Sequence, residues 1–298
     1  MELRHLRYFL AVAERSHFRN AAESLFVSQP TLSQQIKDLE SELGVALFER
    51  IGRRARLTSA GRLYREFASR ALKVLDEGKA ALDELDGLLR GELTVGVVQT
   101  VNAFMTPPVV AEFAAAHPNV ALSIRELSAG EIESGVRDGS IDLGVSFAPS
   151  NRKGLQAERL LDEEFVLIVG STHPLARRTG LRIAELSETP LALLGREFCT
   201  RRIIDEAFGK ARVTLQVRVE MNSVEGLVAV ASSGGPPTIL PRLAVRASGA
   251  SVVKLERPTP KRTVCLLTTI GATESRARSE FSALLRRQVA VVGEHRVR

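Results

Sequence analysis

The chain has 298 residues, a net charge of +6, a pI of about 9.7, 44% apolar residues and a mean hydropathy of +0.01. That length suits two or three domains with ordinary cores, and the mild basic excess is compatible with a polyanionic partner without demanding one. No apolar run approaches the ~18 residues of a membrane span. The start of the chain, with charges inside its apolar stretch, is no signal peptide, so a cytoplasmic protein without membrane contact is expected. Two distant cysteines, Cys199 and Cys265, exclude a disulfide framework, and five scattered histidines form no zinc-site spacing, so neither metal nor cofactor is expected.

The first ninety residues are predicted to be almost wholly helical. Leu3, Leu6, Phe9, Leu10 and Ala13 follow a 3.6 period over 3–14. A short helix is expected over 19–26, with Ala21, Ala22 and Leu25 on one face. A third is expected over 29–43, with Leu32, Ile36, Leu39 and Leu43 facing one way and Gly44 as its stop. The segment LFERIGRRARLT then predicts a small β-wing with glycine at its tip. Thr58 is an N-cap for a helix over 59–89 whose apolar stripe suggests pairing with a second copy.

Past Arg90-Gly91 short β-rich runs alternate with amphipathic helices, which predicts α/β layers. Strands are expected at 93–98, 121–126, 141–147, 164–169, 191–194, 214–220, 238–240 and 263–268. Helices are expected at 102–116, 130–138, 200–211, 223–232 and 273–290.

The segment from Phe18 to Gly44 carries the strongest functional signal. Two short helices meet at a turn, and the second opens with Ser28 as cap and Pro30 in its first turn, where proline loses no intrahelical hydrogen bond. Gln29, Thr31, Ser33 and Gln34 then offer short donors and acceptors suited to base edges, and Lys37 a cation suited to phosphate. The opposite face packs inward, the division that a helix entering the major groove by its N-terminus requires. Arg50, Arg53, Arg54 and Arg56 on the wing suit phosphates or the minor groove. Each feature alone fits a solvated surface. Their order, ahead of a pairing helix, points to double-stranded DNA.

The pattern resembles the LysR-type family of transcriptional regulators. The carrying residues are Leu6, Phe9, Val12-Ala13-Glu14, Ser16, Phe18, Ala21-Ala22, Val27 to Ser33 and Gln35-Ile36. They continue through Leu39-Glu40, Leu43-Gly44, Leu47-Phe48, Arg50, Leu57-Thr58 and Ala60-Gly61. Arg19 departs from it, standing where the family often has a threonine that caps the second helix. Further on, Asp138-Gly139, Ile141 to Val145, His173-Pro174-Leu175 and Gly234 to Pro241 match family landmarks. The stretches 28–36, 197–201 and 289–293 are also similar to the branch that regulates cyanate operons.

The resemblance implies a winged helix-turn-helix (1–58), a linker and dimerisation helix (59–90) and a periplasmic-binding-protein-like effector domain (91–298). Lobe I would take 91–161 and 267–298, and lobe II 162–266. Homodimers or homotetramers on promoter DNA follow, with RNA polymerase as a further partner and no catalytic residues. The effector would lie between the lobes, at strand C-termini and helix N-termini that favour anions. Gln99, Thr100 and Asn102 are candidates on one side, and Phe198, Thr200, Arg201 and Arg202 on the other, with Ser146 and Phe147 as further wall residues. Ordinary capping accounts equally well for the two threonines. Cys199, at a helix start beside two arginines, is open to packing or redox roles. No GxSxG, P-loop, zincin or GxGxxG pattern supports an enzyme. A secreted solute-binding protein would lack the DNA-binding head, and an architectural DNA protein would not need the lobes.

Overall fold

The computed structural model describes residues 1–51, 54–85, 90–245, 249–271 and 275–294. The head is α1 (Leu3–Arg15), α2 (Phe18–Ser24), α3 (Gln29–Leu43), then the wing strands β1 (Phe48–Ile51) and β2 (Arg54–Leu57). Its core joins Leu6, Phe9 and Val12 to Ala21, Ala22, Leu32, Ile36, Leu39 and Leu47. Phe9 stacks near Phe48 and Tyr64, at 5.3 Å between ring centroids in both pairs. At the start of α2, where Arg19 stands in place of a capping threonine, His17 supplies the cap. The ring Nδ1 of His17, one residue before α2, accepts the Arg19 N–H at 3.2 Å, and Arg19 itself pairs with Glu23.

The long helix α4 (Ser59–Leu85) begins at Thr58, whose Oγ1 accepts the Gly61 N–H at 2.9 Å. The expected continuation over 86–89 lies outside the described residues. Along α4, Leu63, Phe67, Val74, Leu75 and Leu82 are all about half exposed or more, an apolar face that the described residues leave largely uncovered.

The body is α/β. Lobe I holds β3 (Gly91–Val97), α5 (Gln99–Asn102), α6 (Thr106–Ala116), β4 (Val120–Glu126), α7 (Ala129–Asp138) and β5 (Leu143–Phe147). β6 (Leu155–Val169) then crosses into lobe II. There follow β7 (Gly180–Arg182), β8 (Leu191–Leu194), α8 (Cys199–Ala211), β9 (Val217–Met221), α9 (Val224–Ser232), β10 (Thr238–Pro241) and β11 (Ser251–Glu256). β12 (Lys261–Thr269) returns to lobe I, and α10 (Arg276–Glu294) packs there on α6.

Strand order runs β4-β3-β5-β12-β6-β10-β8-β9, with β11 and β7 off this path. β3 is parallel to both β4 and β5, and β8 is parallel to β9 and β10. The chain therefore winds to either side of β3, and a crevice opens where such strands end. β6 and β12 run antiparallel from Lys261↔Glu164 to Thr269↔Leu155, forming one ribbon through both lobes.

Three expectations change. The single helix over 102–116 is two, because Pro107 and Pro108 fit only the first turn of a new helix starting at Thr106. β6 extends nine residues ahead of the expected start at 164, since half-polar Leu155–Glu163 gains its partners only from β12. The return crossover precedes 267: Val264 to Leu267 already pair with β5 and sit in the lobe I core.

The Asp138-Gly139…Asp142 landmark acquires a role in joining α4 to lobe I. Asp142 accepts the Thr94 N–H at 2.7 Å and pairs with Lys73, whose ammonium also donates to the Gly139 carbonyl at 2.9 Å. Buried Asp138 pairs with Arg65 at 3.5 Å. No helix among the described residues is long and apolar enough to cross a membrane.

Candidate functional site

Two surfaces concentrate the predicted residues. The first is the exposed face of α3. Ser28 accepts the Thr31 N–H at 3.2 Å, and the two hydroxyls bond each other at 2.8 Å. Gln29, Pro30, Thr31, Gln34 and Lys37 are exposed and Ser33 is half-buried, while Leu32, Ile36 and Leu39 are buried beneath them. Gln34 donates one amide N–H to Asp38 at 2.8 Å, which leaves its other N–H and its carbonyl oxygen for a base edge. Gln35 is held from the other side by His5 at 3.1 Å, which fixes α3 against α1.

The wing is tied to the same helix. Glu40 accepts both the Leu47 and Phe48 N–H groups, at 2.7 and 3.0 Å. Arg54 is exposed, and Arg56 lies 3.7 Å from Glu49. Arg53 and the side chain of Arg50 fall outside the described residues. One residue escaped the sequence reading. Phe26, in the turn between the helices, is 97% exposed with φ of +55°, a left-handed backbone that a phenylalanine adopts at a cost. The expected helix over 19–26 ran through this position, whereas α2 ends at Ser24 and leaves Phe26 in the turn.

The second surface is a cavity of about 460 Å³ between the lobes. It lies where β3, β4, β5 and β8 end, as the winding requires. Gln99, Thr100 and Phe147 line it from lobe I, and Phe198, Cys199, Thr200 and Arg202 from lobe II. Gln99 also reaches across, donating to the Asn222 carbonyl at 2.8 Å. Asn102 stands off the wall and donates to Glu126, which does line it. Arg201 is a correction. Its guanidinium is buried away from the cavity, bonding Asp205, Glu220 and the Leu194 carbonyl at 2.9–3.1 Å, so it fastens α8 to β8 and β9. Ser146 is fully buried, with its hydroxyl unpartnered among the described residues, and does not line the cavity.

Behind the wall, without lining the cavity itself, stands Arg262, which the sequence reading missed. Its Nε donates to Glu163 at 2.7 Å, one terminal nitrogen to Thr100 Oγ1 at 2.7 Å and the other to Thr200 Oγ1 at 3.1 Å. Its guanidinium carbon lies 4.2 Å from the Phe147 ring centroid. Arg262 and Glu163 are cross-strand neighbours on the two crossovers, with side chains 3% and 1% exposed. One buried cation therefore grips a threonine from each lobe, 62 residues away along the chain in one case and 162 in the other. Each hydroxyl oxygen accepts from Arg262, and neither hydroxyl donates to an acceptor among the described residues, so each keeps a donor for a ligand. The floor of the cleft thus presents donors, and it suits an acceptor such as a carboxylate.

Cys199 is a free thiol, half-buried on this wall, while Cys265 is buried in β12, where burial raises its pKa. Among the described residues no cluster of three or more His, Cys, Asp or Glu side chains is arranged to hold a metal ion.

A helix-turn-helix with a basic wing, followed by a long helix with an exposed apolar face and a two-lobed cleft, defines a DNA-reading regulator with a ligand-binding body. Residues 3–62 match the bacterial regulatory helix-turn-helix protein, lysR family, and residues 86–290 match the LysR substrate binding domain. The chain is 33% identical to the HTH-type transcriptional regulator AlsR of Bacillus subtilis, over 81% of this chain and 80% of that one. It is 31% identical to the hydrogen peroxide-inducible genes activator of Dickeya chrysanthemi, over 90% and 89%. Full-length OxyR C199D from Pseudomonas aeruginosa superimposes with a TM-score of 0.76 at 29% identity, covering 98% of this chain and 95% of that one. The chain belongs to the LysR family of DNA-binding transcriptional regulators, with an effector-binding domain behind its helix-turn-helix.

Proposed function

We propose that two chains pair through the exposed face of α4 and set two α3 helices on promoter DNA in the cytoplasm. A small molecule with an anionic group then binds in the cleft and changes promoter occupancy. Gln29, Thr31, Ser33 and Gln34 meet base edges, with Ser28 and Pro30 shaping the helix start. Lys37 and the wing arginines meet phosphates. Residues 1–58, 59–90 and 91–298 act as reader, pairing helix and sensor. Nothing in the cleft is assigned a bond-making role, and the protein works as a switch rather than an enzyme. Further association of sensors gives a tetramer able to contact RNA polymerase.

The observation that carries the reading is the convergence of Thr100 and Thr200, one from each lobe, on Arg262. A ligand accepting from both hydroxyls draws the lobes together, and only such a difference in affinity between open and closed forms can shift their populations. In a promoter reporter, Thr100→Ala and Thr200→Ala are expected to abolish the ligand response while leaving DNA affinity in gel shifts unchanged. Thr100→Ser and Thr200→Ser, which keep the hydroxyls, should retain it. Full responsiveness of both alanine variants would overturn the assignment.

A second reading rests on the Cys199 thiol in the same wall and on the likeness to a hydrogen peroxide-inducible genes activator. Peroxide would convert the thiol to a sulfenic acid and release water, placing a new polar oxygen where the ligand sits. Under the small-molecule reading Cys199→Ser leaves the reporter unaffected by hydrogen peroxide dose. A peroxide response in the parent that this variant loses would favour the thiol as sensor.

A further inference from the structure

The reading above places an anionic group at the floor of the cleft; the rest of the wall carries the opposite demand. Three carboxylates line the cavity, from Glu126, Glu131 and Glu197, against one lining guanidinium, Arg202. The buried Arg262–Glu163 pair adds no net charge. A ligand bearing only negative charge would have its head on the hydroxyl donors and its remainder facing a wall with two excess negative charges.

The three carboxylates are not equivalent. Glu131 is engaged in the cap of α7, accepting the Ser128 N–H at 2.9 Å, and these Ser128 hydrogen bonds hold its pKa below the ordinary value. Glu126 has one oxygen on the Asn102 amide at 3.0 Å, which leaves the other available. Glu197 makes no hydrogen bond or ion pair among the described residues. Its carboxylate lies over Gly195, where any Cβ would collide with it. Glu126 ends β4 in lobe I, and Glu197 precedes α8 in lobe II, so these two acceptors also come from opposite walls. Thr100 and Thr200 line the same cavity, are 5% and 3% exposed, and have hydroxyl protons without an acceptor among the described residues.

Resting on the reading of this cleft as the effector site, we propose that its ligand is a zwitterion of amino-acid type. The carboxylate accepts from Thr100 and Thr200, and the protonated amine donates to Glu197 and Glu126. Both ends then bridge the lobes, so the closed form gains at two points. Such a ligand also leaves the wall closer to electrical neutrality than a simple anion does, and unpaired charge in a closing site is what binding must avoid.

The experiment is calorimetric titration of the full-length protein with the standard L-amino acids. Each hit is compared with the same acid lacking its amine and the same amine lacking its carboxylate. Acetate, sulfate and inorganic phosphate form a separate arm. The expected result is an amino acid whose affinity falls about tenfold or more on loss of either group. It should fall similarly in Thr100→Ala and Thr200→Ala, and in the double variant Glu126→Gln/Glu197→Gln. If amine-free acids or inorganic anions bind as well as or better than every amino acid and depend on the threonines alone, the zwitterion is overturned while the cleft reading stands. If no probe binds, or if binding ignores the threonine substitutions, both are overturned.

Discussion

Replacing Arg262 with methionine is expected to destabilise the sensor domain by about 3–5 kcal/mol, because it leaves Glu163 as an unpaired charge in a site 1% exposed to solvent. Glu163 already has one oxygen without a partner among the described residues, so nothing stands ready to replace the guanidinium. The loss is a large fraction of the 5–15 kcal/mol typical of a domain. Scanning calorimetry should place it in the transition of the α/β body and leave that of the helical head in place. The double variant Arg262→Met/Glu163→Leu separates the charge from the contacts. Removing both partners is close to neutral, so most of the stability should return. The ligand response should stay lost, since nothing then orients the Thr100 and Thr200 hydroxyls. A single variant as stable as the parent, or a double variant that responds normally, would show that the pair does not organise the cleft.

Phe67→Asp is expected to split the dimer and, with it, DNA binding. Phe67 is 58% exposed in the first third of α4, between Leu63 at 60% and Val74 at 63%. In the single chain this face is more than half exposed, so a charge there costs the monomer little. In a paired helix the same charge is buried against apolar side chains. Two linked heads bind two half-sites with an effective concentration that a single head lacks, and losing that linkage costs about 100-fold or more in affinity. Sedimentation equilibrium should report the single-chain mass, and a gel shift on the upstream region should weaken by that factor. An unchanged mass would move the dimer seam elsewhere.

The parts of this molecule legible in the sequence are those whose causes lie within a few residues. Ser28 caps α3 through Thr31, three positions on, and Thr58 caps α4 through Gly61. The buried stripe Leu32, Ile36, Leu39 follows from helical periodicity alone. Pro107 and Pro108 carried a readable helix start that the periodicity of 102–116 masked. Thr100 and Thr200 were legible as polar residues at helix starts after strands, but only the family resemblance set them at a cleft rather than as ordinary caps.

Other features needed the closed fold. Arg201 and Arg202 are adjacent and chemically alike, yet one is buried on Asp205 and Glu220 and the other lines the cavity. The helix turn separates their directions by ~100°, and only the packing of β9 decides which direction is interior. Phe26 reads as an ordinary apolar residue until the turn exposes it. Arg262 and Glu163 sit 99 residues apart in segments with no motif, and they meet because β6 and β12 pair in one register. Local hydrogen bonding and apolar period thus determined the helix-turn-helix head, the long helix α4 and the α/β rhythm from sequence alone. The polarity of the ligand cleft was decided by the tertiary structure, because a buried charge acts on whatever long-range pairing brings within hydrogen-bonding distance.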